Sequence, residues 1–261
     1  MIRALSNAAS GMKAQEMNID ILSNNLANVN TTGFKRSRAE FADLFYEARQ
    51  SPGAPSPDGA ALPGGIEIGQ GVRPVATYKD FTTGELRETG NSLDISIEGR
   101  GFFQVIQPDG ETAYTRSGTF KTNAEGQLVN ADGYPVSPEI SIPEDATSIT
   151  ISETGIITVT LASDSTQVEV GQLQLATFPN AAGLSAVGRN LFVETPASGQ
   201  AILSNPAEEG SGSVLQGFLE SSNVAVVSEM IDLISAQRAY EINSKVITAA
   251  DEMLQGVSRL G

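Results

Sequence analysis

The chain reads as an α+β protein, with a long α-helix at each end and a mostly antiparallel β domain between them. Three observations carry that reading. Apolar residues recur at seven-residue spacing near both ends. A Pro/Gly-rich stretch follows the first helical segment. The middle of the chain alternates apolar and polar residues between short turn motifs.

In the first segment Leu5, Met12, Ile19 and Leu26 lie seven residues apart. Ile2 and Ala9 fill alternate seam positions, Glu16 and Ser23 interrupt them, and Leu22 and Val29 widen the apolar face. Asn30-Thr31-Thr32-Gly33 supplies a stop, with Gly33 suited to the left-handed conformation that ends a helix. Residues 2–30 as one helix would span about 43 Å at ~1.5 Å per residue.

Residues 51–65 include Pro52, Gly53, Pro55, Pro57, Gly59, Leu62 and Pro63. This composition propagates neither a helix nor a central strand, so it predicts a linker or extended arm.

From residue 66 to 220 the signals are β. Leu93, Ile95 and Ile97 alternate with Asp94, Ser96 and Glu98, which predicts a strand with one solvated face. Ile149 and Ile151 begin a hairpin that turns at Glu153-Thr154-Gly155 into 156–161. Val168 and Val170 share one parity while Leu173 and Leu175 take the other, predicting a β-bulge near Gly171. Asp109-Gly110, Glu125-Gly126 and Asp132-Gly133 mark further turns.

The final segment is helical again, with an N-cap expected at Ser222 or Asn223. It carries one apolar stripe of Met230, Leu233, Tyr240, Ile247 and Leu254. A second consists of Val227, Ile231, Ile234, Ile242, Val246 and Met253. A helix needs one stripe per neighbour, so two stripes imply more than one packing partner. The simplest arrangement pairs the terminal helices as an antiparallel, coiled-coil-like hairpin and buries the remaining apolar surface between subunits. A monomer whose helices pack on the β domain is the alternative. In either case the chain divides into a terminal-helix core (1–30 and 223–261), an extended connector (31–75 and about 200–222) and a β domain (76–199).

Composition narrows function by exclusion. The chain of 261 residues has neither Cys nor His, which removes thiolate–imidazole zinc sites, iron–sulfur clusters and His-based triads; no cofactor is expected. Net charge is −15, and residues 51–220 contribute −14 of it, so nucleic acid is not an expected partner. Ser6, Asn7 and Ser10 break any signal-peptide core, which leaves a cytoplasmic chain or one exported by a route that needs no cleaved signal. Gly99-Arg100-Gly101 lacks the third glycine of a dinucleotide loop and precedes a strand, not a helix. The carboxylate pairs Glu144-Asp145 and Glu208-Glu209 lie in polar, turn-like sequence with no aromatic platform, which reads as solvated loop. No catalytic or metal-binding set remains, and an enzyme is not expected.

The run from Ser23 to Lys35, including Asn25, Asn28, Thr31, Gly33 and Phe34, resembles the N-terminal signature of flagellar rod and hook axial proteins. The stretch Leu93–Val105 and the motif Tyr114-Thr115-Arg116-Ser117-Gly118-Thr119-Phe120 are similar to that family's β-domain motifs, and Gln216–Val224 with Gln237–Glu241 to its C-terminal region. The segment from Tyr46 to Pro74 resembles the long connector of the distal-rod branch. It carries Pro52, Gly53, Leu62 and Pro63, and then Gly71, Val72, Arg73 and Pro74.

The resemblance implies a structural subunit of the rod, or drive shaft, which self-assembles into a rigid helical tube and transmits torque from motor to hook. It implies helix packing between subunits through the first stripes of both helices, and a connector that stiffens the rod. The implied partners are further copies in a helical polymer, proximal rod proteins, the hook protein or hook–rod junction, the L- and P-ring proteins and the type III export apparatus. The implied place is the basal body in the periplasmic space. A proximal rod or hook paralogue, or an exported adhesin or binding module with oligomerising ends, are the competing readings.

Overall fold

A computed structural model describes residues 2–50, 64–162, 167–208 and 210–260. The fold is α+β, and its registered strand pairs are antiparallel. The chain forms two compact units. One gathers the residues up to Leu26, Ser37–Tyr78 and Val226 onward; the other gathers Ala27–Arg36 and Lys79–Ala225. By contacts, residues 37–78 therefore group with the helices and residues 200–222 with the β unit. The expected connector comprises residues 31–75 and about 200–222.

The helical unit contains α1, Ile2–Ala27, and α2, Val226–Leu260. α1 stops short of the expected residue 30 because Asn28, Val29 and Asn30 form a turn, closed by the Thr31 N–H donating to the Asn28 carbonyl at 3.1 Å. α2 begins three residues beyond the expected cap at Asn223. That side chain is committed elsewhere, its Oδ1 accepting from the Arg36 N–H at 2.8 Å and its Nδ2 donating to the Asp80 carbonyl at 2.8 Å. Ser222 Oγ accepts only from the nearby Val224 N–H, at 3.4 Å, before the helix starts.

The same unit holds a β ribbon within the stretch expected to be extended connector. Ser37–Asp43 pairs with Val72–Lys79, and Tyr46–Gln50 pairs antiparallel with Ile66–Gly69, flanking residues 51–63. The Leu44 N–H donates to the Gly71 carbonyl at 2.8 Å and fixes the corner between the two ladders. α1 holds this corner through Asn7 Nδ2, which donates to the Gly69 carbonyl at 3.0 Å, and Ser10 Oγ, which accepts from the Val72 N–H at 3.3 Å.

In the β unit a five-stranded sheet runs in the order Val136–Ser137, Phe103–Ile106, Thr112–Thr115, Leu191–Val193, Ser185–Gly188. Strand alternation sends neighbouring residues of this sheet to opposite sides. Phe103, Ala113 and Leu191 enter the main core with Ile95, Ile97 and Leu175. Phe102, Tyr114 and Phe192 enter a second, aromatic cluster with Phe81 and Phe178. Its rings meet edge to face, with centroids 5.2 Å apart for Phe81–Phe102 and 4.8 Å for Tyr114–Phe178.

The three-stranded sheet Ala146–Ile151, Ile156–Leu161, Gln167–Gln172 contains the expected hairpin turn, with Gly155 at φ 78°. The expected bulge is there too, since Ile157 opposes Gly171 and Thr158 opposes Glu169, leaving Val170 as the extra residue. The strand Ile95–Glu98 departs from expectation. It is buried on both faces except at Glu98, because Asp94 and Ser96 are buried as well. Asp94 tolerates burial by accepting from Thr89 Oγ1 at 2.6 Å and Asn91 Nδ2 at 3.2 Å.

Candidate assembly surfaces and the motif junction

The signature segment is built from polar side chains that hydrogen-bond both to neighbours in the chain and to residues far along it. Asn25 is 1% exposed. Its Oδ1 accepts from the Ser37 N–H at 2.8 Å, while its Nδ2 donates to the Ser37 carbonyl at 2.9 Å and to the Glu229 carboxylate at 3.2 Å. One side chain thus satisfies a backbone donor, a backbone acceptor and a buried acid on α2. A primary amide offers an acceptor oxygen and two N–H donors at once, which matches these three partners.

Further along, Thr31 Oγ1 donates to Asn28 Oδ1 at 3.2 Å, and the Gly33 N–H donates to the Glu220 carbonyl at 2.8 Å. Gly33 sits at φ 70°, and a Cβ there would lie 2.6 Å from the Ser117 backbone nitrogen, so both conformation and space require glycine. Phe34 is buried, with the Lys79 ammonium 4.9 Å from its ring centroid.

The next residue, Lys35, is fully buried and forms an ion pair with Glu220 at 2.5 Å, also donating to the Thr82 carbonyl at 2.7 Å. Arg116 holds the other Glu220 oxygen at 2.9 Å, and its remaining N–H groups donate to the carbonyls of Gly99 at 2.9 Å, Gly101 at 2.7 Å and Ile97 at 3.3 Å. The Gly84 N–H donates to Glu220 at 2.8 Å. The sequence motifs around Phe34-Lys35, Gly99-Arg100-Gly101, Arg116 and Glu220 therefore meet at one carboxylate. The Gly-Arg-Gly stretch that superficially resembles a nucleotide loop serves here as a source of carbonyls for Arg116.

One anion between two cations makes the junction electrostatically lopsided. Burial raises the Glu220 pKa, but Arg116 and Lys35 together outweigh it and hold the carboxyl below its ordinary range. For Lys35 burial dominates and pulls the ammonium below its ordinary value, against the opposing pull of Glu220. The two directions are compatible, because Glu220 enjoys both cations while each cation shares a single anion. Nearby, burial raises the Asp80 pKa, yet the Arg36 pair at 2.9 Å and the Thr82 hydrogen bond bring it below the usual carboxylate range.

The stripe residues fall into two groups. Leu5, Met12, Ile19 and Leu26 on α1, and Leu233, Ile247 and Leu254 on α2, are partly buried. The latter lie in step with the buried Glu229, Ala236 and Ala250. Met230 is 49% exposed and Tyr240 40%. The second α2 stripe of Val227, Ile231, Ile234, Ile242, Val246 and Met253 is exposed throughout, between 41% and 72%. Of the connector residues, Pro52, Gly53, Leu62 and Pro63 lie outside the described residues. Gly71, at φ 110°, has no room for a Cβ against Ser10 Oγ. Val72 donates to Ser10, while Arg73 and Pro74 are exposed. Pro74 is admitted because its strand has a partner on one side only.

Among the described residues no cluster of acidic side chains is spaced to hold a metal ion, and no helix is long and apolar enough to cross a membrane. Periodicity and turn chemistry do not reveal two buried polar clusters, Asn25 with Glu229 in the helical unit and Lys35, Arg116 and Glu220 in the β unit. The only local sign of either is a charged or amide residue within a family motif.

Comparison with known proteins accounts for these features together. Residues 5–35 match the family described as flagella basal body rod protein, residues 96–159 the flagellar hook protein FlgE/F/G D1 domain, and residues 215–260 the flagellar basal body rod FlgEFG protein C-terminal region. The chain is 51% identical over 260 residues to the flagellar basal-body rod protein FlgG of Caulobacter vibrioides, covering 99% of each chain. It is 50% identical over 259 residues to that of Agrobacterium fabrum, covering 99% of each, and 48% identical over 256 residues to that of Borreliella burgdorferi, covering 97% of each. With half of its residues shared along nearly its whole length, the chain belongs to the flagellar basal-body rod protein FlgG family.

Proposed function

We propose that the chain is a non-enzymatic structural subunit of the flagellar distal rod. It self-assembles into a rigid helical tube that carries torque from motor to hook. The observation that carries this reading is the second α2 stripe, six exposed apolar residues from Val227 to Met253 on one helix, interrupted only at Arg238. Exposed apolar surface of this extent is a binding surface, and family membership makes further copies its occupant.

Within each subunit, α1 and α2 pair as an antiparallel, coiled-coil-like hairpin. Two facts support that pairing. Asn25 bonds Glu229, and a Cβ on Gly11 would fall 2.9 Å from Asn243 Nδ2. These points lie fourteen residues apart on each helix, in opposite directions, which is two heptads of an antiparallel register. The first stripes of both helices serve this hairpin and its neighbours, while the Pro-rich arm around Pro52, Gly53, Leu62 and Pro63 stiffens the tube by bridging adjacent subunits. Family membership supports proximal rod proteins, the hook protein or hook–rod junction, the L- and P-ring proteins and the type III export apparatus as contacts. It likewise supports a periplasmic position reached without a cleaved signal.

The direct test is polymerisation of the full-length chain. Concentrated wild-type protein should form sedimentable tubes visible by electron microscopy, and Ile231→Glu with Ile242→Glu should abolish them while leaving the monomer folded. A wild-type chain that stays monomeric at every concentration would refute the reading. Deletion of residues 50–65 should yield tubes that bend; tubes as straight as wild type would refute the role given to the arm.

A further inference from the structure

The aromatic cluster of the β unit opens to solvent through a cleft of about 560 Å³. Phe81, Phe102 and Phe178 form its apolar wall, Arg116 lies at its base, and Arg100 and Ile202 stand at its rim. This size suits one or two bulky side chains. The charge of the lining runs against that of the chain. The protein carries 31 acidic and 16 basic residues, yet every charged residue described along this cleft is an arginine. Arg116 is neutralised by Glu220, whereas Arg100 is exposed and forms no ion pair with any described residue. Ile202, 57% exposed, extends the apolar wall onto the surface.

A matching projection exists on the same chain. Phe45 is 87% exposed, the highest exposure among the large apolar residues described, and Tyr46 beside it is 57% exposed. They do not hang from a loose loop. Leu44 is tied to Gly71 by a 2.8 Å backbone hydrogen bond, and the neighbouring Asp43 carboxylate raises the Tyr46 pKa above its ordinary value. Two aromatic rings on a braced corner are thus presented to water with Asp43 next to them. The other charges at the corner are Glu47, paired with Arg3, the exposed Glu67 near Tyr46, and Arg73, which lines the same recess as Asp43; Asp43 is the exposed acid nearest Phe45 in the chain.

We propose that the cleft receives the Phe45–Tyr46 corner of a second copy of the chain, with Arg100 at the rim meeting Asp43. Aromatic rings seat against Phe81, Phe102 and Phe178 with the edge-to-face geometry these residues already use among themselves. The Arg–carboxylate pair at the mouth fixes orientation. The inference rests on the self-assembly reading and deepens it by naming a side-chain contact between copies away from the α2 stripe.

Because the chain has no cysteine, introduced thiols report without background. Tubes would be grown from a mixture of Phe45→Cys chains and Ile202→Cys chains, oxidised, and the linked peptides identified by mass spectrometry. The expected result is a Phe45→Cys to Ile202→Cys linkage in the tubes that is absent from the monomers, and absent when Val187→Cys replaces Ile202→Cys. Arg100→Glu should raise the concentration needed for assembly at least tenfold without changing the monomer melting temperature, and Asp43→Arg in the same chain should restore it. Tubes that assemble normally without the linkage, a linkage from Ile202→Cys to a different protein, or failure of Asp43→Arg to rescue Arg100→Glu would each overturn the contact while leaving self-assembly intact. A wild-type chain that never polymerises would overturn both.

Discussion

Asn25 on α1 and Glu229 on α2, 204 residues apart in sequence, share a buried hydrogen bond of 3.2 Å, and Asn25 uses its remaining capacity on both backbone groups of Ser37. A buried carboxylate, an N–H and a C=O thus each take a hydrogen bond from, or give one to, the same amide. Asn25→Ala removes that partner from all three and should destabilise the helical unit by on the order of 3 kcal/mol, at ~1 kcal/mol for each buried hydrogen bond lost. Asn25→Asp replaces the donor with a second carboxylate and should be worse at neutral pH, recovering in part under acid. Denaturant melts of helical circular dichroism would measure both, and an Asn25→Asp loss independent of pH would contradict the geometry.

Glu220→Gln should be among the most damaging single changes in the β unit. It removes the one anion between Lys35 and Arg116, and leaving buried charge uncompensated costs about 3–5 kcal/mol. Lys35→Met should be milder, because Glu220 retains Arg116 and its hydrogen bond from Gly84. Equal losses in the two variants by thermal unfolding would show that the cations are not competing for one partner.

Acid should weaken the protein through the same residues. The folded pKa values of Glu220 and Asp80 lie below their unfolded values, so their contribution is fully present above the unfolded range of about 4 and disappears as pH falls through the folded values. Stability of the wild type should therefore be flat in this respect at neutral pH and fall below about pH 4, converging on that of Glu220→Gln. Lys35 has the opposite sign. Its lowered folded value makes the charged ammonium a burden below that value, relieved as pH rises toward the ordinary lysine range. Melting temperature measured across pH for wild type and Glu220→Gln would check the convergence.

Two glycines should respond differently to alanine. At Gly33 the added methyl meets Ser117 backbone at 2.6 Å and the backbone sits at φ 70°, so neither conformation nor neighbour can yield; the loss should be at least about 2 kcal/mol. At Gly71 the methyl meets the hydroxyl of Ser10, which can rotate away at the expense of its hydrogen bond from Val72. Gly71→Ala together with Ser10→Ala should then recover part of the loss of Gly71→Ala alone, as read by denaturant titration, and no second-site change at position 117 should do the same for Gly33→Ala.

The two α2 stripes should separate folding from assembly. Leu233→Ala and Ile247→Ala remove partly buried side chains and should lower the melting temperature of the isolated chain, at about 2–5 kcal/mol for a well-buried site and less here. Val227→Ser and Ile231→Ser alter residues that are 72% and 61% exposed, and should leave melting unchanged while reducing polymer yield in sedimentation.

The sequence by itself determined the element types, because they follow from local periodicity and turn chemistry. The seven-residue recurrence of Leu5, Met12, Ile19 and Leu26 gave a helix, the Glu153-Thr154-Gly155 turn a hairpin, and the parity switch between Val170 and Leu173 a bulge. The family motifs were legible for the same reason, as contiguous strings. Tertiary structure alone decided which polar residues are buried and which apolar ones are bare. Nothing local distinguishes Ser96 in a two-sided interior from a solvated strand residue, or marks Lys35 as wholly enclosed, since the strand that covers Ser96 and the carboxylate that pairs with Lys35 lie more than a hundred positions away, Glu220 by 185. The choice between the α2 stripes was equally non-local. Both have helical spacing and similar hydrophobicity, and only the packing of Glu229, Ala236 and Ala250 leaves Val227, Ile231 and Ile242 facing water.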